Sequence, residues 1–224
     1  MKKLNGDWYH DFSKLGLDTK NGSGYQKNQV VKEETINEMF NIVKSENPNV
    51  NSLLDVFTSD GYYTFLINKL FGGFDKITSV DLDPVNRYYP QYDIIRKELG
   101  IDSSFVKNDI NYFLDGDNPR YGITICFGGL YHIHNPAEVI NRLLKISDYV
   151  LIQTVVPSDI RDEEYFITPA PNWKHGSRFS VFSINKWIDD MDCVKIYENY
   201  NELTNDDAVN KGSYYCVLKS NNIK

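Results

Sequence analysis

Residues 52–84 read SLLDVFTSDGYYTFLINKLFGGFDKITSVDLDP, and few folds accommodate that run. Residues 52–57 form an apolar stretch too short for a helix, and the polar cluster Thr58, Ser59, Asp60 and Gly61 follows it. A buried strand ending in a turn fits this pattern. Gly61 then opens a helical period in which Tyr62, Phe65, Leu66, Lys69 and Leu70 recur at three- and four-residue spacing. Gly72 and Gly73 supply the stop signal. A second strand over 76–80 delivers Asp81 at its carboxyl end, about twenty residues after Gly61. At that spacing a doubly wound nucleotide fold presents an acid to ribose hydroxyls. The stretch is expected to be the half-domain of a nucleoside-binding enzyme.

The flanking sequence extends the α/β alternation. Residues 1–28 form an N-terminal arm, polar and glycine-punctuated, with Trp8, Tyr9, His10 and Phe12 inside it. The period over 29–44 predicts an amphipathic helix with Val30, Val31, Ile36, Met39, Phe40 and Val43 on one face. After Asp83-Pro84, the segment 86–99 is helical in its second half and closes at Gly100. A third strand over 104–107 leads to Asn108 and Asp109, with Asp109 a candidate N-cap for a short helix over 110–114. Residues 121–127 make a fourth strand, followed by the turn Phe127-Gly128-Gly129-Leu130-Tyr131-His132-Ile133-His134-Asn135-Pro136. Pro136 starts a helix through 146. A fifth strand over 148–156 precedes an aperiodic stretch, 157–180, of a length typical of lids and binding loops. Lys174, His175 and Arg178 cluster there, able to hold a phosphate or carboxylate or to remain incidental surface residues. A helix over 183–191 with Ser183 as its N-cap and Trp187 facing the core comes next. Strands over 194–198 and 213–219, linked through Asn205 and Asp206, end the chain. Residues 29–220 are expected to form one domain with a lid-like insertion.

Composition removes several classes of function. The 24 basic and 31 acidic residues give a net charge of −7, without the Lys/Arg block that tracks a phosphate backbone, which counts against nucleic acid as a partner. The 16 tyrosines and 12 phenylalanines suit pockets with apolar walls and polar tips. Cys126, Cys193 and Cys216 are far apart and sit in apolar runs, so buried thiols are expected rather than a disulfide or zinc site. No apolar run is long enough to span a membrane, and the N-terminus lacks the pattern of a signal peptide. A cytoplasmic, unanchored protein is expected.

The segment LDVFTSDGYYTF resembles the first motif of class I S-adenosylmethionine (SAM) dependent methyltransferases. The branch it is most similar to comprises the wobble-uridine tRNA carboxymethyltransferases and related small-molecule enzymes, whose loop ends in Asp-Gly-aromatic-aromatic, as Asp60-Gly61-Tyr62-Tyr63 does here. Phe57 and Ser59 stand where that motif usually has its first two glycines. The turn after the fourth strand resembles the family's GxLYHxxxP. The likeness runs from Trp8 to Leu218. It implies a doubly wound, mostly parallel seven-stranded sheet of Rossmann-like type with a C-terminal antiparallel hairpin. It implies SAM as cofactor, with Asp55, Thr58, Ser59, Gly61, Asp81, Leu82, Asn108, Asp109, Ile110, Phe127 and Gly128 around it and Asp109 receiving the adenine amino group. Tyr9 and His10 on the arm, Tyr131, His175 and Arg178 are the residues expected at the acceptor. Trp8-Tyr9-His10 either closes over the substrate or anchors the arm.

Methyl transfer from a sulfonium asks mainly for alignment, and a hydroxyl acceptor also needs a base. His132 lies at the turn where ligands collect in such folds and titrates near neutrality, so it is the first candidate, with His134 next and then His10 and His175. A hydrogen bond from His132 to the turn's own backbone is the alternative. His132 and His134 are two residues apart, hence on opposite sides of an extended chain, and no metal site is expected. The function expected is O-methylation, at a hydroxyl or a phosphate-type oxygen, of a small polar metabolite, a sugar or nucleotide sugar. The alternatives are a tRNA-modifying methyl- or carboxymethyltransferase and a non-catalytic partner subunit of the same fold. A homodimer is left open.

Overall fold

The computed structural model describes residues 1–171, 175–203 and 211–222. Two compact units divide the chain, Met1–Asp115 and Gly116–Lys224.

In the first unit the short strands β1 (Lys2–Lys3) and β2 (Leu17–Asp18) pair in parallel around a 3-10 turn at Ser13–Leu15. Helix α1 (Gly24–Glu46) follows. Next come β3 (Ser52–Val56), α2 (Tyr62–Phe71), β4 (Lys76–Asp81), α3 (Tyr88–Leu99), β5 (Ser104–Lys107) and α4 (Ile110–Asp115). The strands β3, β4 and β5 are parallel neighbours in that order, as strand-helix-strand connections require. Helix α1 starts earlier than its apolar period suggests. The Ser23 side chain accepts the Gln26 N–H and caps it, and its first turns bury polar Gln26, Asn28 and Gln29, which conceal the helical period.

Glycine fixes both ends of α2. Gly61 (φ +82) is its N-cap and Gly72 (φ +86) its C-cap, the latter donating to the carbonyls of Asn68 and Lys69. A Cβ on Gly61 would lie 2.4 Å from the Tyr92 ring and 2.8 Å from Phe65, so α2 and α3 meet across a position that admits no side chain. Helix α3 starts where Asp83 Oδ1 accepts the N–H groups of Arg87 (3.0 Å) and Tyr88 (2.9 Å).

The second unit contains β6 (Tyr121–Phe127), α5 (Pro136–Ile146), β7 (Ser147–Val156), β8 (Phe166–Ile167), β9 (Arg178–Phe179), α6 (Val181–Asp189), β10 (Cys193–Glu202) and β11 (Gly212–Ser220). Strand β7 runs parallel to β6, whereas β11 pairs antiparallel with both β7 and β10, which gives the expected closing hairpin. Three details depart from the sequence reading. The N-cap of α6 is Ser180, whose Oγ accepts the Ser183 N–H at 3.1 Å, and Ser183 lies inside the helix, where its Oγ donates to the Tyr165 carbonyl. Cys126 and Cys216 are buried, but Cys193, at the start of the edge strand β10, is only half-buried. The stretch after β7 is partly ordered by the antiparallel β8 and β9 pair. Trp173, Lys174, Asn205 and Asp206, which the sequence reading used, lie outside the described residues.

Candidate functional site

The turn after β3 keeps a glycine-like backbone without the glycines. Phe57 (φ 63) and Ser59 (φ 54) are both left-handed, as is Gly61 (φ 82). This region costs an L-residue roughly 1–2 kcal/mol, and such strain tends to mark functional sites. What holds the turn is visible on both sides. The N–H groups of Phe57 (2.8 Å) and Thr58 (3.3 Å) donate to the Val80 carbonyl, and the Ser59 N–H donates to Asp81 Oδ2 at 2.9 Å. From within, Asp55 Oδ2 accepts the hydroxyls of Thr58 (2.7 Å) and Thr64. Burial lifts the Asp55 carboxyl to a pKa of about 7 against the lowering effect of these two hydroxyls. One polar atom on this turn lacks a partner among the described residues: the buried hydroxyl of Ser59.

Asp81 ends β4 beside this turn, with Oδ2 on the Ser59 N–H and Oδ1 on the Asp83 N–H at 2.6 Å. Burial raises its pKa despite those two donors. Each carboxylate oxygen has two lone pairs, so one acceptor position on each remains for a ligand hydroxyl. Leu82, 55% exposed, offers an apolar surface next to it. The Asn108 N–H donates to the Asp81 carbonyl at 3.0 Å and brings the end of β5 to the same place. Asp109 does cap α4, with Oδ1 accepting the Asn111 N–H at 2.8 Å, and Ile110 is buried behind it. Asp81, Asn108 and Asp109 therefore stand at the carboxyl ends of adjacent parallel strands, where open α/β sheets bind ligands. Asp83, not singled out from sequence, proves structural. It is buried and left-handed (φ 49), and it holds the start of α3.

The arm is fastened to the same unit. His10 Nδ1 meets Asp60 Oδ1 at 2.6 Å, and the His10 N–H donates to Asp60 Oδ2 at 2.9 Å. Its ring stacks on Tyr62 at 5.2 Å. Further ties are Lys14 to Glu33, Asp11 to the Gln29 amide, and Arg87 Nη1 to Asp7 Oδ2 at 2.7 Å. Trp8 is buried against Phe12. Tyr9 remains partly open and faces Tyr25, itself 60% exposed, at 4.6 Å between ring centres.

In the second unit, Gly128 (φ 71) donates to the Gln153 carbonyl at the end of β6, and a 3-10 turn carries Leu130, Tyr131 and His132. The later loop closes onto this turn. The Ser177 N–H donates to the Tyr131 carbonyl at 3.0 Å, and a Cβ on Gly176 would fall 2.3 Å from that oxygen. His134 Nδ1 lies 2.7 Å from the Thr168 hydroxyl, which donates to the Gly176 carbonyl. The structure thus gathers Tyr131, His132, His134 and Arg178 from two distant stretches of chain. Arg178 is buried, its guanidinium 6.0 Å from the centre of the Tyr131 ring, rather than spread on a surface loop, and His175 is exposed. Packing, then the Arg178 charge, lowers His132 to a pKa of about 4. His132 is neutral at pH 7 and a weak proton acceptor. Among the described residues no cluster of His, Cys, Asp or Glu could hold a metal ion, and no helix is long and apolar enough to cross a membrane.

No family profile matches the chain and no curated protein matches its sequence. Solved structures do match. The magnesium protoporphyrin IX methyltransferase of Synechocystis PCC 6803 with bound SAM is 13% identical over 91% of this chain and 86% of its own, with a TM-score of 0.63. The same enzyme with bound S-adenosylhomocysteine (SAH) gives 12%, 93%, 92% and 0.65. A SAM-dependent methyltransferase from Clostridium acetobutylicum ATCC 824 is 10% identical over 81% of this chain and 89% of its own, with a TM-score of 0.58. An O-methyltransferase family protein from Burkholderia thailandensis is 14% identical over 84% of this chain and 57% of its own, at 0.57. The fold is therefore that of the class I methyltransferases, an α/β, doubly wound, mostly parallel seven-stranded sheet closed by an antiparallel hairpin.

Proposed function

We propose that this protein is a SAM-dependent O-methyltransferase acting on a hydroxyl of a small polar metabolite, a sugar or nucleotide sugar. One observation carries the reading: the turn after β3 takes the left-handed course of a glycine-rich nucleoside loop at Phe57, Ser59 and Gly61, and its Ser59 amide is bound to the acid that ends β4. A chain with no ligand to cradle has little reason to retain two strained non-glycine residues there. The residues fit the cofactor chemically. Asp81 would accept the ribose hydroxyls, Leu82 and Ile110 would flank the adenine, and Asp109 would receive its amino group. The unpartnered Ser59 hydroxyl suits the carboxylate of an amino-acid tail, and the Asp55 carboxyl before the turn suits its ammonium. When bound, SAM supplies an electrophilic methyl group. The protein orients the acceptor behind it, excludes water and takes up the hydroxyl proton.

Support for the class of reaction comes from neighbours solved with SAM or SAH and from one described as an O-methyltransferase family protein. The small polar acceptor accords with the net charge of −7 and with the tyrosines on the arm. Titration calorimetry with SAM and SAH, followed by transfer of labelled methyl from SAM to a panel of monosaccharides and sugar nucleotides, tests the reading. Binding with labelled sugar product supports it. Absence of binding favours a non-catalytic subunit. Transfer to tRNA in place of sugars overturns the acceptor class.

A further inference from the structure

We propose that His10 and Asp60 form the proton-accepting pair for the acceptor hydroxyl, with His10 Nε2 as the general base. The inference rests on the methyltransferase reading and assigns a residue within it. Asp60 is fully buried, and its two oxygens take His10 Nδ1 (2.6 Å) and the His10 N–H (2.9 Å). A carboxylate so placed fixes the ring's orientation and its tautomer, with the proton on Nδ1 and Nε2 left as the acceptor. Among the described residues Nε2 has no hydrogen-bond partner, and it is not among the buried polar atoms left unpaired. The His10 side chain is 10% exposed.

The neighbourhood suits a ring-shaped polyol. Asp60 adjoins Ser59 and Gly61, so the pair sits on the turn proposed to cradle the cofactor. Tyr9 stands edge-on to His10 at 4.7 Å and lies beside the exposed Tyr25, an aromatic surface against which the C–H face of a sugar can rest. The other described histidines are less suited. His134 Nδ1 meets a neutral threonine hydroxyl rather than a carboxylate, and His132 has Arg178, a cation, as its charged neighbour.

The step balances. The acceptor oxygen bonds to the methyl carbon while the carbon–sulfur bond breaks and leaves its electron pair on sulfur. The O–H proton passes to Nε2 and then to solvent. The products are a methyl ether, a neutral thioether and the regenerated imidazole.

The test uses the full chain. His10→Gln, which keeps an amide to meet Asp60, should bind SAH within about twofold of wild type and lower kcat for the sugar probes by about 10²–10⁴-fold. Free imidazole should restore part of the rate to His10→Ala. Diethyl pyrocarbonate, a probe that needs no acceptor, should acylate His10 in the folded protein, and Asp60→Asn should change that rate. Wild-type turnover in His10→Gln overturns the proposal. So does a His10 that resists acylation, or a His10→Gln variant whose only change is release of the arm to protease with parallel loss of SAH binding. Failure of the wild type to bind SAH overturns the methyltransferase reading instead.

Discussion

The Ser59 backbone N–H donates to Asp81 Oδ2 at 2.9 Å, joining the turn after β3 to the acid that closes β4. The other oxygen of Asp81 takes the Asp83 N–H. One carboxylate thus orders two strained turns, with Ser59 at φ 54 and Asp83 at φ 49, and still presents lone pairs to a ligand.

Asp81→Ala therefore does more than remove a ligand for ribose. It leaves two backbone donors unpaired, each costing about 1–3 kcal/mol. Chemical denaturation should show a loss of at least about 2 kcal/mol, while Asp81→Asn, which keeps one acceptor oxygen, should lose less. Equal stability of Asp81→Ala and wild type would show that the carboxylate does not hold the turns.

Ser59 and Gly61 should respond in opposite directions. Gly61→Ala sets a Cβ 2.4 Å from Tyr92 in left-handed backbone, and strain plus overpacking should cost about 2–4 kcal/mol. Ser59→Gly relieves left-handed strain and should leave thermal stability unchanged or raise it by up to about 1 kcal/mol. If the Ser59 hydroxyl serves the cofactor, the same variant binds SAM several-fold more weakly.

Why some of this was legible in sequence and some was not follows from the residues. Asp81 and Gly61 could be read because strand length, turn and helix fix their spacing. Phe57 and Ser59 look like departures from the family pattern because residue type shows only which backbone is easy, and here hydrogen bonds to Val80 and Asp81 impose the difficult one. The start of α1 was hidden by inward-facing Gln26, Asn28 and Gln29, of which Gln26 bonds Thr19 and Asn21 just upstream and Gln29 bonds Asp11 on the arm. The arm's own anchor, His10 on Asp60, joins residues fifty positions apart. Neither residue carries a local signal of the other. The closing of Gly176 on Tyr131 is equally long-range, although a glycine flanked by His175 and Ser177 in a long loop was a visible cue.

Asp55 gives the fold a pH signature. Its carboxyl rises from 3.8 to about 7 in the folded state, so the native protein holds that proton more tightly than the unfolded chain. The contribution is fully present below about 3.8 and is lost as pH rises through about 7. Asp55→Asn, which stays neutral, should melt above wild type at alkaline pH, and the gap should close on acidification. A gap that widens as pH falls would contradict this assignment.

His132 titrates the other way. With its pKa lowered from 6.5 to about 4, it resists protonation in the fold, so its contribution is complete above about 6.5 and falls as pH drops toward about 4. Its ring protons in an NMR titration should stay at the neutral position through pH 7, and Arg178→Gln should shift the midpoint upward. A midpoint near 6.5 in the wild type would show that neither packing nor Arg178 acts on the ring.

Titration calorimetry of SAH into wild type and Asp81→Asn bears most directly on the central claim, that the turn after β3 and the acid after β4 together hold a nucleoside. The account predicts saturable binding to wild type, weakened at least about tenfold, or about 1.4 kcal/mol, in an Asp81→Asn protein that is still folded by circular dichroism. Equal affinity of the two proteins, or no heat with either, would contradict it.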